Sequence, residues 1–228
     1  LSLRRQRQMC IRDRTKVIEI ALKIQKEKLI PLTFGNFSLR DPETGYVCIT
    51  PSGMPYETLH PSDIVVVSVD NQIIEGERRP SIEMPLHTAM YRRRPDVFGV
   101  VHTHSTYCTA WACVDGGMPC ITSEAAGLVG GNIRCAAFVP PGSDELAEVT
   151  SEAIGDDKAV LMGNHGAICI DETIDKAYND AIVLEESAKV AFLSYQMGNV
   201  NTLEDQMCKF LKEDTDQNYG PVSYTHLT

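Results

Sequence analysis

The sequence predicts an α/β fold, a single domain in which helices flank a sheet of many short strands. Three observations predict it. Apolar residues recur at helical spacing in one stretch near the N-terminal end and in a longer one nearer the C-terminal end. Between them lie short β-rich runs separated by Gly and Pro. No internal repeat or low-complexity linker divides the chain. At 228 residues, 43% hydrophobic and 23% charged, the chain suits one sizeable core.

The first helix is expected over residues 16–29, where Val17, Ile20, Ala21, Ile24 and Leu29 form one apolar face. After Pro31 the pattern shifts to strand-like runs at 34–40, 46–50 and 64–69, where the sheet opens. Pro85 suits the first turn of a helix over 84–94. The apolar run 97–101 reads as a buried strand leading into His102, and a helix begins over 106–113. A strand follows at 133–139, then a helix over 144–154 opened by Ser143 as N-cap. The runs 159–162 and 167–170 meet at Gly163-Asn164-His165-Gly166, and a hairpin there puts His165 at its tip. The stretch 174–197 carries Ala177, Ala181, Val183, Leu184, Ala188 and Ala191 at helical spacing and stops at Gly198.

Both ends break the pattern. Residues 1–14 and 222–228 match nothing around them and resemble translated sequencing-adapter nucleotides, so the domain is expected to span 15–221 with non-native ends. The alternative is a native basic arm, since residues 1–14 hold five arginines and one acid. No basic patch elsewhere supports a nucleic-acid partner. With a formal net charge of −10 overall, the body is acidic, which argues against DNA, RNA and anionic membrane surfaces. An anionic small substrate stays open, because a metal and a few backbone N–H groups can set the local potential. No apolar run approaches the roughly 20 residues that span a bilayer, and the expected location is cytoplasmic. Of the eight cysteines, none forms a C-x-x-C pair, so reduced and mostly buried thiols are expected.

The sharpest chemical signal is Val100-Val101-His102-Thr103-His104. On a strand, residues i and i+2 point to the same side, which sets two imidazoles next to each other. A catalytic zinc site needs three protein ligands and an open position. His165, in its glycine-flanked turn, is the best third ligand, whereas His60 lies in a surface-type turn and His226 in the suspect tail. The competing explanation for His-x-His is a strand edge with two solvated rings. Glu83, just before a helix start, can turn a carboxylate toward such a pocket as base or ligand, or can simply complement the helix dipole. His87 is better placed for packing or for supporting a ligand than for ligation. The turns Gly35-Asn36-Phe37-Ser38 and Thr50-Pro51-Ser52-Gly53 could offer N–H groups and hydroxyls to a phosphate, although Gly, Asn and Ser also form turns without one.

In order along the chain, Gly35-Asn36-Phe37-Ser38, Ile49-Thr50-Pro51-Ser52-Gly53, Pro80-Ser81-Ile82-Glu83, Val101-His102-Thr103-His104-Ser105 and Asn164-His165-Gly166 resemble the class II aldolase and adducin-head family. That family includes L-fuculose-phosphate aldolases, L-ribulose-5-phosphate 4-epimerases and non-catalytic adducin heads. The resemblance implies a three-layer α/β/α sandwich with a largely antiparallel central sheet, assembled as a four-fold homotetramer with active sites between subunits. It also implies Zn2+, or alternatively Mn2+, on His102, His104 and His165, with Glu83 as ligand or acid/base. Asn36, Ser52, Gly53 and Ser81 match phosphate-binding positions, and Tyr219 in Asn218-Tyr219-Gly220 matches a catalytic hydroxyl. Ile82 stands where the family commonly has a second serine, which implies weaker phosphate binding or a different substrate.

Aldolase and epimerase share a metal-stabilised enediolate formed as a carbon–carbon bond breaks. Glu83 resembles the aldolases, where the epimerases carry Asp. The run Gly130-Gly131-Asn132-Ile133-Arg134-Cys135 also looks like the aldolases, and Gly127 falls where the epimerases carry a catalytic Asp. The stretch 181–186 is similar to the epimerases. The expectation is an aldolase cleaving a ketose phosphate of the L-fuculose 1-phosphate type, with the epimerase and a non-catalytic interaction module as alternatives.

Overall fold

The computed structural model describes residues 3–218, with side chains from Ile11 onward. Helix α1 (Leu3–Lys26) starts well before position 16 and buries Val17, Ile20, Ala21 and Ile24 against the core, as their spacing requires. Arg14, which the sequence pattern grouped with the end segment, is buried. Its Nη2 lies 2.8 Å from Glu75 and its Nη1 donates to Pro61 O at 3.4 Å.

Strands β1 (Asn36–Arg40), β2 (Val47–Ile49), β3 (Val65–Val67), β4 (Ile73–Glu75), β5 (Gly99–Thr103), β6 (Cys135–Ala136), β7 (Ala159–Met162) and β8 (Gly166–Asp171) form one sheet in the order β4-β3-β2-β1-β5-β8-β7-β6. The sheet is mixed, which corrects the expectation of a largely antiparallel one. Strand β6 runs parallel to β7 because helix α4 (Asp144–Ile154) carries the chain back between them, the crossover that parallel neighbours need. The pairs β1–β5 and β5–β8 at the centre are antiparallel.

Helices cover both faces. Alternation along the central strands sends Val101, Ala167 and Cys169 toward α1 and α5 (Ile174–Met197), and sends Val100, Ile168 and Ile170 toward α4 and α2 (Met84–Arg93). Helix α3 (Thr106–Ala112) packs with the first set, contributing Cys108 and Ala112. The expected Ser143 cap forms, its Oγ accepting from Leu146 N at 3.1 Å, and α5 ends at Gly198 as expected; at its start Thr173 Oγ1, which the sequence pattern did not single out, accepts from Lys176 N at 3.1 Å.

Three elements had no counterpart in the sequence pattern. Strand β4 exposes Ile73 and Ile74 and so lacks the in–out alternation that marks a half-buried strand. A π-helical turn spans Ala125–Val129. Helix α6 (Asp205–Asn218) is polar, and Cys208 is its one fully buried residue. Conversely, the strand expected over 133–139 shrinks to β6, and the chain leaves the sheet before Pro140-Pro141.

Candidate metal centre

Strand β5 delivers His102 and the residue just past its end, His104, to the same side, and the β7–β8 hairpin brings His165 to them. Asn164 makes the tight turn with φ +52, and Met162 pairs with Gly166 across the hairpin. Gly166 is required by close approach. A Cβ there would sit 2.3 Å from Thr103 O and 3.4 Å from His102 Cε1. Possible ligand atoms of His102, His104 and His165 lie within 4.8 Å of one another, and the three ring centroids are 4.8–5.0 Å apart. Phe34 leans on His104 with centroids 5.9 Å apart.

Glu83, immediately before α2, points into this cluster and is 4% exposed. Its Oε2 lies 3.2 Å from His102 Nε2, and its Oε1 lies 3.2 Å from His165 Nε2. These are not ion pairs between charged groups. Burial pushes His102 down to about 4. Burial, reinforced by the neighbouring histidines, takes His104 to about 3 and His165 to about 4. All three rings are therefore neutral at pH 7, the state a metal ligand needs.

The donor set fits a divalent cation. His102 Nδ1 donates to Ala167 O at 2.9 Å, which leaves its Nε2 as a bare lone pair, 3.0 Å from His104 Nε2. The bare His102 Nε2 and the Glu83 carboxylate, 3.2 Å apart in a buried place, repel one another unless a cation lies between them. Glu83 Oε1 and His165 Nδ1 are buried with no hydrogen-bond partner. Nitrogen ligands at about 2.0–2.1 Å from a tetrahedral zinc stand about 3.3 Å apart, close to the separations found here.

Behind Glu83 runs a buried chain of side chains. Asn36 Nδ2 donates to Glu83 Oε2 at 2.7 Å, Asn36 Oδ1 meets His87 Nε2 at 2.6 Å, and His87 Nδ1 meets Ser38 Oγ at 2.7 Å. Tyr91 OH closes the chain, 2.8 Å from Ser38 Oγ. Sequence reasoning offered Ser38 to a phosphate, not to this chain, and missed Tyr91. A signal was present: Glu83, His87 and Tyr91 are spaced by four residues and so share one face of α2.

The expected phosphate positions are brought together. Pro51 and Pro80 form a bridge, with Ser52 N donating to Arg79 O and Ser81 N to Thr50 O, each at 3.0 Å. Thr50 N in turn donates to Phe37 O at 3.1 Å, beside Asn36. Ser52 and Gly53 are exposed, and Gly53 has φ +70 with open space where a side chain would be. Ser81 is buried, its Oγ accepting from Glu83 N at 3.2 Å. Ile82 is 48% exposed and lies against Gly142. Tyr219 lies outside the described residues.

Residues 15–192 match the model of the class II aldolase and adducin N-terminal domain family. The 5-deoxy-D-ribulose 1-phosphate aldolase of Bacillus thuringiensis serovar kurstaki is 34% identical over 203 residues, 89% of this chain and 95% of that protein. An L-ribulose-5-phosphate 4-epimerase of Salmonella typhi is 31% identical over 221 residues, 92% of this chain and 96% of its own length. Among solved structures, an L-fuculose 1-phosphate aldolase superposes with a TM-score of 0.87 at 31% identity, covering 90% of this chain and 96% of that one. A family match over most of the chain, together with aldolase and epimerase relatives and a buried cluster able to hold a divalent metal, makes this chain an enzyme of the class II aldolase type, and it belongs to the class II aldolase and adducin N-terminal domain family.

Proposed function

We propose that the enzyme is a zinc-dependent aldolase that cleaves a ketose 1-phosphate of the L-fuculose 1-phosphate type into dihydroxyacetone phosphate and an aldehyde. The observation that carries this reading is the convergence of His102, His104, His165 and Glu83 on one buried point. A divalent ion held there supplies Lewis-acid stabilisation for the charge that develops on the substrate oxygens as the carbon–carbon bond breaks. Glu83 keeps one carboxylate oxygen tied to Asn36, and the other lacks a hydrogen-bond partner. We assign to that oxygen the transfer of a proton between substrate atoms. Asn36, Ser52, Gly53 and Ser81 are assigned to the phosphate, and Tyr219, directly after α6, to proton transfer at the aldehyde end. The name of the relative acting on a 5-deoxypentulose 1-phosphate supports the 1-phosphate class.

The epimerase is the second reading, supported by the L-ribulose-5-phosphate 4-epimerase relatives. Gly127 weighs against it. A Cβ at that position would lie 2.4 Å from Thr215 Oγ1 of α6, so helix α6 takes the space that an acidic side chain there would need.

The assembly is proposed to be a homotetramer with sites between subunits, supported by Val190, Phe192, Leu193, Tyr195 and Met197, exposed toward the end of α5. Residues 15–221 are proposed as the functional unit, working in the cytoplasm; among the described residues no helix is long and apolar enough to cross a membrane.

The test is turnover by zinc-loaded protein, full-length and trimmed to 15–221, on L-fuculose 1-phosphate, 5-deoxy-D-ribulose 1-phosphate and L-ribulose 5-phosphate, with products identified by NMR and mass in solution by light scattering. Dihydroxyacetone phosphate from either 1-phosphate supports the aldolase. Conversion of L-ribulose 5-phosphate to D-xylulose 5-phosphate without cleavage overturns it in favour of the epimerase.

A further inference from the structure

The buried chain behind Glu83 has a direction, and the direction follows from what each group can donate. A carboxylate only accepts, so the Asn36 atom 2.7 Å from Glu83 Oε2 is its NH2 group. The other end of that amide, Oδ1, then faces His87 and also only accepts. His87 Nε2, 2.6 Å away, must therefore carry a hydrogen. His87 is wholly buried and its ring nitrogens meet Asn36 Oδ1 and Ser38 Oγ, both uncharged, so the ring is neutral. With one hydrogen on Nε2, its Nδ1 is bare and takes the Ser38 hydroxyl hydrogen at 2.7 Å. Tyr91 OH, 2.8 Å from Ser38 Oγ and 2.9 Å from Ser38 O, anchors the far end.

We propose that His87 is a positioning residue: as the Nε2–H tautomer it fixes the Asn36 amide so that Asn36 holds Glu83 Oε2 and leaves Oε1 as the one carboxylate oxygen free to act at the metal centre. This rests on the assignment of Glu83 as ligand and acid/base. The opposite tautomer would set the Nε2 lone pair against Asn36 Oδ1. Relief would require the amide to flip and present its oxygen to the carboxylate, which would drive Glu83 out of line. His102 carries its hydrogen on Nδ1, so His87 has the opposite tautomer from this candidate ligand. Because the side-chain hydrogen bonds of this network reach the centre through Glu83, breaking them should impair turnover before metal binding.

Two variants and one spectrum test this. His87→Met keeps bulk but removes the donor, whereas His87→Gln can return an N–H to the Nε2 position. The expected result is that His87→Met lowers kcat ~10–100-fold, with KM and zinc content close to wild type, and that His87→Gln restores most of kcat. Equal activity in both variants, whether high or low, would show that His87 only fills space and overturn the proposal. The second measurement does not need turnover. In zinc-loaded, 15N-histidine-labelled wild type, one imidazole should show a protonated Nε2 and a bare Nδ1 from pH 5.5 to 8, and this signal should vanish in His87→Gln. A protonated Nδ1 assigned to His87 would overturn the proposal even if no sugar phosphate were turned over, whereas an inactive protein with the expected tautomer would fault the proposed reaction alone.

Discussion

His102 Nδ1 donates to Ala167 O at 2.9 Å across the β5–β8 pair. That single bond sets which face of the imidazole looks into the centre, because with Nδ1 holding the hydrogen only Nε2 can bind an ion. The bond depends on β8 lying close to β5 beside Gly166, where a side chain would collide with Thr103 O. Gly166→Ala should push the strands apart. The expected outcome is a loss of about 1–3 kcal/mol in chemical denaturation and at least tenfold weaker zinc binding by competition titration; wild-type affinity in this variant would show that the strand spacing does not aim His102.

Removing a proposed metal ligand and removing the proposed proton carrier should have separable effects. His104→Ala is expected to lose stoichiometric zinc and with it the rise in Tm that zinc gives the wild type, a stabilisation of about 2.7 kcal/mol when free zinc is 100 times Kd. Glu83→Gln has a single oxygen, which stays as the acceptor for Asn36, and puts an NH2 in place of Oε1; with the three histidines left to hold the ion it should keep zinc while kcat falls ~10²–10⁴-fold. Metal analysis alongside steady-state kinetics distinguishes the two, and normal turnover by Glu83→Gln would end its acid/base role.

Asp180 makes stability depend on pH. Burial first, then the neighbouring Asp171, raises its pKa to about 9, against the pull of Lys158 and Lys212. Its Oδ2 is buried without a hydrogen-bond partner, and Lys158 is committed to Asp171 at 3.0 Å. The folded state therefore holds Asp180 protonated while the unfolded chain releases the proton above about pH 4. Its favourable contribution is complete below that pH and is lost as pH rises toward about 9, by at most about 1.4 kcal/mol per pH unit. Asp180→Asn should flatten this slope, so melting curves at pH 5 and pH 8 should show the variant gaining on wild type as pH rises. An unchanged slope would mean Asp180 is ionised in the fold.

Glu185 ties α5 to the start of α3, directly after the His102–His104 strand. Its carboxylate is 8% exposed and accepts from Tyr107 N at 2.9 and 3.1 Å and from Cys108 N at 2.9 Å. Glu185→Ala leaves those helix N-terminal N–H groups buried and unpaired, a cost of about 1–3 kcal/mol. Thermal denaturation should show it, and a variant as stable as wild type would mean that water replaces the carboxylate.

The sequence by itself determined the elements whose apolar period is strong and whose ends carry caps. Helix α4 begins at Ser143 because a side-chain oxygen there satisfies a free N–H, α5 follows its apolar spacing to the stop at Gly198, and the His102–His104 pair faces one way because strand side chains alternate. The His165 hairpin was legible in its Gly-Asn-His-Gly turn. Helix α6 and strand β4 were not, because neither shows a strong periodic pattern of buried apolar residues: α6 is held against the distant turn at 125–129, and β4 by backbone pairing with its neighbour β3. The mixed sheet was equally hidden, since strand direction depends on how α4 returns the chain. Only the tertiary structure decided that Asn36 reaches Glu83, 47 positions away, and that His87 supports that contact. Hydrogen-bond partners joined across strands and helices leave no local pattern in a sequence, so the direction of a buried chain can be read only once its atoms stand next to one another.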